Sequence, residues 1–207
     1  RYARLGFDFT PDEVVTSREA LLAEITPEPP RHWGVMLNPE KDMAEIADLG
    51  ATVLTDDPAP YDAAEGFLLV GAEGWTEHRQ ALLEASLARN PRPVFVGNPD
   101  LVAPREDGLS LEPGWFAHRL IDATGIEVTF CGKPFPAVFD LALSRHGATP
   151  PARVLMVGDT LHTDILGGAQ AGFDTALVTG HGSLKGLDVA RAIASSGIAP
   201  THVVHQI

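Results

Sequence analysis

VGDTLHTDILGGAQAGFDTALVTG, residues Val157–Gly180, reads as the end of one strand, a helix and a second strand. The apolar run ARVLMVG (152–158) leads into it, TALVTG (175–180) closes it, and TDILGGAQAG between them carries helical spacing. Strand, helix and strand joined this tightly make a parallel pairing the expected outcome. Ligands of open parallel α/β sheets sit at the carboxyl ends of the strands. Asp159, next after the strand, is therefore expected at a crevice, with Gly158 permitting the tight turn. A carboxylate there, just before a helix N-terminus, suits Mg²⁺, a hard ion that prefers oxygen and keeps several waters. Asp164, on or near the first helical turn, is placed to orient a metal shell from behind. Both aspartates fit equally well as helix caps that complement the helix dipole.

The rest of the chain repeats this grammar. Strands are expected in HWGVMLN (32–38), ATVLTD (51–56), GFLLVG (66–71), PVFVGNPD (93–100), EVTFCG (127–132) and THVVHQI (201–207). Helices are expected in REALLAEI (18–25), PEKDMAEIADLG (39–50), TEHRQALLEASLARN (76–90), GWFAHRLIDATG (114–125), PAVFDLALSRHG (136–147) and LKGLDVARAIASSG (184–197). EVVTS (13–17) reads as a short strand running into the first helix, with Thr16 and Glu19 at capping-box spacing. APREDGLSLEPG, Ala103–Gly114, is the most polar and least periodic stretch and is expected as a surface loop near a ligand. The fold class is α/β with parallel sheets.

Lys133 follows the strand EVTFCG and precedes Pro134, which suits the first turn of a helix. One helix and one strand separate it from Asp159, so the two are expected at neighbouring strand ends. A cation and a metal-binding carboxylate in one crevice is what phosphoryl transfer needs. The ammonium offsets charge on the phosphoryl oxygens while the metal bridges to the nucleophile.

The chain resembles the haloacid dehalogenase (HAD) superfamily of phosphatases, and within it the class IIA, NagD-like branch. The resemblance is carried by NPD (Asn98–Asp100), CGKPFPAVFDLAL (Cys131–Leu143) and VGDTLHTDILGGAQAGFDTALVTG, in that order and spacing, and it covers nearly the whole chain. It implies that Lys133 is the third-motif lysine, catalytic and substrate-binding. It implies that Asp159 is the fourth-motif Mg²⁺ ligand, Asp164 its companion acid at the metal, and Asn98 and Asp100 a turn at the substrate end of a cap. It also implies a Rossmann-like core with a large α/β cap: a core remnant at 1–16, the cap at 17–124 and the C-terminal core at 125–207. The cap closes over the core, excludes water and chooses the substrate. The activity implied is Mg²⁺-dependent hydrolysis of small phosphorylated metabolites or sugar phosphates through a phospho-aspartate, with a cap-mediated homodimer as the implied assembly.

The family's nucleophile is an aspartate of a D-x-D pair, and it is not found in these residues. The first residues, Arg1-Tyr2-Ala3-Arg4, carry no initiating methionine, and residues 1–17 resemble the part of the family that follows its Ser/Thr motif. The nucleophile is thus expected before Arg1. A core without that strand is expected to show apolar surface and an unpaired edge. Asp8-Phe9-Thr10 lacks a preceding apolar strand and reads as a turn. Asp56-Asp57 is an adjacent pair followed by Pro58 and falls in the cap. An alternative reading is a non-catalytic ligand-binding or regulatory protein that keeps the fold.

The other conspicuous residues read blandly. His162 sits beside the metal motif, but Mg²⁺ does not favour imidazole. His181 lies in the glycine-flanked loop TGHGS after a strand. Trp33, Trp75 and Trp115 read as packing, and Cys131 as a small core residue. The formal net charge of −13 argues against nucleic acid and anionic membranes as partners but leaves a small phosphorylated substrate open. No apolar stretch approaches the ~20 residues that span a bilayer, and no signal peptide is seen. With a single cysteine no intrachain disulfide can form, which points to a reducing, cytoplasmic setting.

Overall fold

The computed structural model describes residues 6–25, 32–38, 49–105, 108–147 and 149–207. The chain divides into two compact units, one of Ser17–Gly132 and one of Arg1–Thr16 with Lys133–Ile207.

The Ser17–Gly132 unit is built on a parallel five-stranded sheet. Its strands are β1 (Trp33–Met36), β2 (Ala51–Val53), β3 (Gly66–Leu69), β4 (Val94–Val96) and β7 (Thr129–Phe130), in the order β2-β1-β3-β4-β7. The two central strands, β1 and β3, are buried at every position. A parallel strand covered on both faces needs apolar side chains on both, so these runs are continuous rather than alternating. Four helices belong to the unit: α1 (Ser17–Ile25), α2 (Ala59–Ala63), α3 (Glu77–Arg89) and α4 (Pro113–Thr124). Thr76 caps α3 by accepting the Arg79 amide, and Gly125 closes α4 in the left-handed conformation at φ 70°. Leu83 and Leu87 of α3 and Phe116 and Leu120 of α4 pack with Phe67, Leu69, Val94 and Val96 of the sheet. The helix expected over residues 39–50 lies largely outside the described residues.

Two expectations change in this unit. Residues 103–114 are not an open loop. β5 (Val102–Arg105) and β6 (Gly108–Leu111) form an antiparallel pair with Ala103 opposite Ser110 and Arg105 opposite Gly108. The pair is pinned by polar side chains: Arg105 Nε donates to Ser110 Oγ at 2.9 Å, and both residues donate to Glu112. An isolated two-stranded ribbon tolerates a proline and needs no apolar alternation, so its sequence looks like a loop. The second change concerns the boundary expected near residue 124. It falls before β7, whose pairing with β4 keeps residues 125–132 with the Ser17 unit.

The other unit carries a parallel three-stranded sheet of β8 (Leu155–Gly158), β9 (Asp174–Val178) and β10 (His202–Val204), in the order β10-β9-β8. Its helices are α5 (Pro136–Arg145), α6 (Leu166–Gln170) and α7 (Val189–Ser196). Asp188 caps α7 by accepting the Arg191 amide at 3.0 Å. β9 is buried from Thr175 onward. Among the described residues β8 pairs only with β9, and its Leu155 and Val157 are 50% and 38% exposed. EVVTS does not form a paired strand. Pro11–Glu13 is a 3₁₀ turn instead, held by the Glu13 carboxylate, which accepts both the amide and the hydroxyl of Thr10 at 2.8 Å. This local capping outcompetes a strand that has no neighbour to pair with.

Candidate active site

The site is built at the carboxyl end of β8. The strand stops at Gly158, and a Cβ there would lie 2.3 Å from the Asp164 side chain. Only a glycine lets the Asp164 carboxylate fold back over the strand end. Once there, its Oδ2 accepts the backbone amides of Asp159 and Thr160, both at 3.2 Å. The turn between them is wide, a five-residue π-helical turn over Leu161–Ile165 that leads directly into α6. Such turns recur at functional sites because they re-aim side chains that a regular helix would stack.

Asp164 is 4% exposed, and a buried carboxylate requires a partner. That partner is Lys133, whose Nζ donates to Asp164 Oδ1 at 2.5 Å while about half of its own side chain stays in solvent. Local packing brings the lysine there. A Cβ on Gly167 would sit 2.4 Å from the Phe139 ring and 3.0 Å from Pro134 Cα, so the bare glycine lets the segment after Lys133 lie against α6.

Sequence reasoning had Lys133 and Asp159 at neighbouring ends of one sheet. The structure differs: β7 is a strand of the five-stranded sheet and β8 of the three-stranded one. Lys133 arrives through the Pro134–Phe135 lead into α5, not as the next strand end, and its direct partner is Asp164. The capping role weighed for both aspartates is taken by Asp164 alone.

Asp159 is held by a loop the sequence reading noticed only for its histidine. β9 is parallel to β8, so the loop after it opens at the same end of the sheet. Ser183 in that loop donates its amide to Asp159 Oδ2 at 2.8 Å and its hydroxyl to the Asp159 carbonyl at 2.6 Å. The Thr160 hydroxyl stands 3.2 Å from the Ser183 hydroxyl. A search of every strand's carboxyl end, rather than of titratable residues alone, would have found Ser183. His162 and His181 are both exposed.

A Mg²⁺ ion fits this donor set at one corner. Asp159 Oδ1 takes no hydrogen-bond partner among the described residues, which leaves one hard anionic oxygen to offer. Both Asp164 oxygens are engaged, by Lys133 and by the two amides, so Asp164 acts behind Asp159. Among the described residues no three His, Cys, Asp or Glu side chains gather in a metal-holding group.

Asn98 and Asp100 lie in the other unit. Asn98 Oδ1 accepts the Asp100 amide at 3.1 Å, which makes the turn, and Asn98 Nδ2 donates to Glu112 at 3.2 Å. Glu112, 7% exposed, thus ties this turn to Arg105 and Ser110 of the β5–β6 ribbon.

The remaining conspicuous residues have structural partners. Asp56 pairs with Arg79 at 3.0 Å, which lowers its pKa, and Asp57 accepts the Ala59 amide. Trp33 packs edge-on against Phe95, Trp75 donates to Gln80, and Trp115 packs edge-on against Phe116. Cys131 is fully buried, and that burial, with Glu24 adding, pushes its thiol up to about 12. A nucleophilic cysteine needs the opposite shift.

Comparison with known proteins places this geometry. A family model described as HAD-hydrolase-like matches residues 130–207. The acid sugar phosphatase of Staphylococcus epidermidis is 28% identical over 198 residues, covering 96% of this chain and 72% of that protein. The acid sugar phosphatase of Staphylococcus aureus is 27% identical over the same shares. Among solved structures, a possible sugar phosphatase of the HAD superfamily from Cytophaga hutchinsonii superposes with a TM-score of 0.80 at 27% identity. It covers 99% of this chain and 75% of that one. The p-nitrophenyl phosphatase from Archaeoglobus fulgidus superposes at 0.81 with 21% identity, over 99% of this chain and 76% of that one, a likeness of fold. No helix among the described residues is long and apolar enough to cross a membrane.

Proposed function

The chain belongs to the haloacid dehalogenase superfamily, class IIA, and on that premise we propose that it is a Mg²⁺-dependent phosphatase of small phosphorylated metabolites, sugar phosphates among them. The observation that carries the reading is the Lys133–Asp164–Asp159 arrangement at the end of β8. Asp164 is the fixed anion. It holds the Lys133 ammonium on one oxygen and the Asp159–Thr160 backbone on the other. Lys133 keeps its remaining hydrogens for a phosphoryl oxygen and offsets the charge that develops there. Asp159 holds the metal through Oδ1, with Asp164 supporting from behind. The bound Mg²⁺ supplies Lewis-acid stabilisation of the transferring phosphoryl group.

Asn98 and Asp100 are assigned to substrate contact from a cap of residues 17–124, and a homodimer through that cap goes with the same reading. A reducing, cytoplasmic setting fits the lone buried Cys131. The carboxylate nucleophile of a phospho-aspartate route is not among the 207 residues, which contain no Asp-x-Asp. That same fact favours a second reading, in which the 207-residue chain binds phosphorylated ligands without turnover.

The test is hydrolysis of p-nitrophenyl phosphate by the full-length protein with and without Mg²⁺, beside Asp159→Asn. Mg²⁺-dependent turnover that the variant loses supports the phosphatase. Full activity in the variant overturns the metal assignment, and phosphate-ester binding without turnover in the wild type supports the second reading.

A further inference from the structure

Asp159 offers three hydrogen-bonding atoms besides its free Oδ1. Asp164 takes the amide, and Ser183 takes both of the others, the carbonyl and Oδ2. We propose that Ser183 is a positioning residue for the reaction: it clamps Asp159 across the β8–β9 crevice so that Oδ1 faces outward. The inference rests on the assignment of Asp159 as the metal-holding residue.

Three features make the clamp specific. The two bonds reach Asp159 on its main chain and on its side chain, so together they fix both the backbone and the torsion that aims the carboxylate. The loop is shaped to allow it. Gly182 is at φ +75°, and a Cβ there would lie 1.9 Å from Asp159 Oδ2, so the carboxylate rests against bare backbone. The Thr160 hydroxyl, 3.2 Å from Ser183 Oγ, gives the serine a second polar neighbour on the same strand end. A ligand oxygen pinned on its far side loses less freedom when it binds a cation, and outer partners of this kind set metal affinity.

The hydroxyl and the amide separate experimentally. Ser183→Ala removes the Oγ bond and keeps the amide bond, and Ser183→Thr restores a hydroxyl. In the full-length protein, Ser183→Ala is expected to raise the Mg²⁺ concentration for half-activation about tenfold. The KM for p-nitrophenyl phosphate at saturating Mg²⁺ stays unchanged, and Ser183→Thr recovers most of the loss. Mn²⁺ binding followed by electron paramagnetic resonance, with no substrate present, should weaken by the same factor. Unchanged Mn²⁺ affinity in Ser183→Ala, with the wild type Mg²⁺-dependent, overturns the clamp and leaves the phosphatase standing. A wild type with no Mg²⁺ dependence and no Mn²⁺ binding overturns the metal assignment itself, and the clamp with it.

Discussion

Gly182 and Asp159 touch in a way that no residue with a side chain permits, since the missing Cβ would sit inside the Asp159 carboxylate, 1.9 Å from Oδ2. Gly182→Ala therefore faces two costs. One is the left-handed backbone at φ +75°, about 1–2 kcal/mol for a non-glycine residue. The other is displacement of Asp159. Gly186 separates them, because it has φ +77° and open space where a Cβ would go. Gly186→Ala should lower stability by a similar backbone cost and leave Mg²⁺ activation untouched. Gly182→Ala should lower both, and denaturant melts beside Mg²⁺ titrations of the two variants check the difference.

Lys133 and Asp164 make a one-sided pair, an exposed ammonium on a buried carboxylate. Breaking a fully buried pair costs about 3–5 kcal/mol, but solvent at Lys133 screens this one. Lys133→Met should destabilise the fold by about 1–2 kcal/mol by stranding the carboxylate. Adding Asp164→Asn should recover part of that loss, because the amide has no charge to strand. Equal, additive losses in the double-mutant cycle would show that the two side chains do not depend on each other. Turnover should be lost in every one of these variants.

Cys131 gives the protein an alkaline liability. Burial raises its thiol to about 12 in the folded state, above the ~8.5 of a free cysteine. The unfolded chain therefore loses its proton first. The contribution to stability is intact below the unfolded value and declines as pH rises from there toward 12. Urea melts between pH 8 and 11 should show a steeper decline for the wild type than for Cys131→Ala, by at most one proton. The native thiol should also resist iodoacetamide at pH 8 until the protein is denatured.

The parallel sheets were legible because Gly66–Leu69 and its neighbours are short apolar runs set between helical repeats. The motif residues were legible because GD and GKP sit where strands end. What escaped the sequence was side-chain reach. Nothing in the spacing of GDTLHTD says that Asp164 turns back to its own strand end, since that depends on Gly158 having no Cβ. Nor does it say that Ser183, 24 residues on, closes over Asp159. The β5–β6 ribbon escaped for a similar reason. Its register is fixed by Arg105, Ser110 and Glu112 bonding one another, not by an apolar alternation.

Arg92 holds the Ser17–Gly132 unit together at a point the sequence marks only as a residue between two prolines. Its Nη1 donates to the carbonyls of Tyr61 and Ala64 at 2.8 and 2.7 Å, its Nη2 to Ser86 Oγ at 2.6 Å and its Nε to the Asn90 carbonyl at 2.9 Å. The guanidinium also lies over the Phe67 ring, 4.9 Å from its centre. It therefore joins α2, α3 and β3 through one planar group. The Tyr61 and Ala64 carbonyls sit at the end of α2, where helix carbonyls lack partners of their own. Lysine cannot replace this fork: one ammonium reaches one or two of the four acceptors and does not stack on the ring. Arg92→Lys should cost about 2 kcal/mol and Arg92→Ala about 3 kcal/mol, from acceptors left unmet. Both should leave the KM and kcat of the full-length protein near wild type at temperatures below the lowered Tm. Thermal melts and steady-state kinetics on the same samples check the prediction, and a large activity loss without a Tm shift would contradict it.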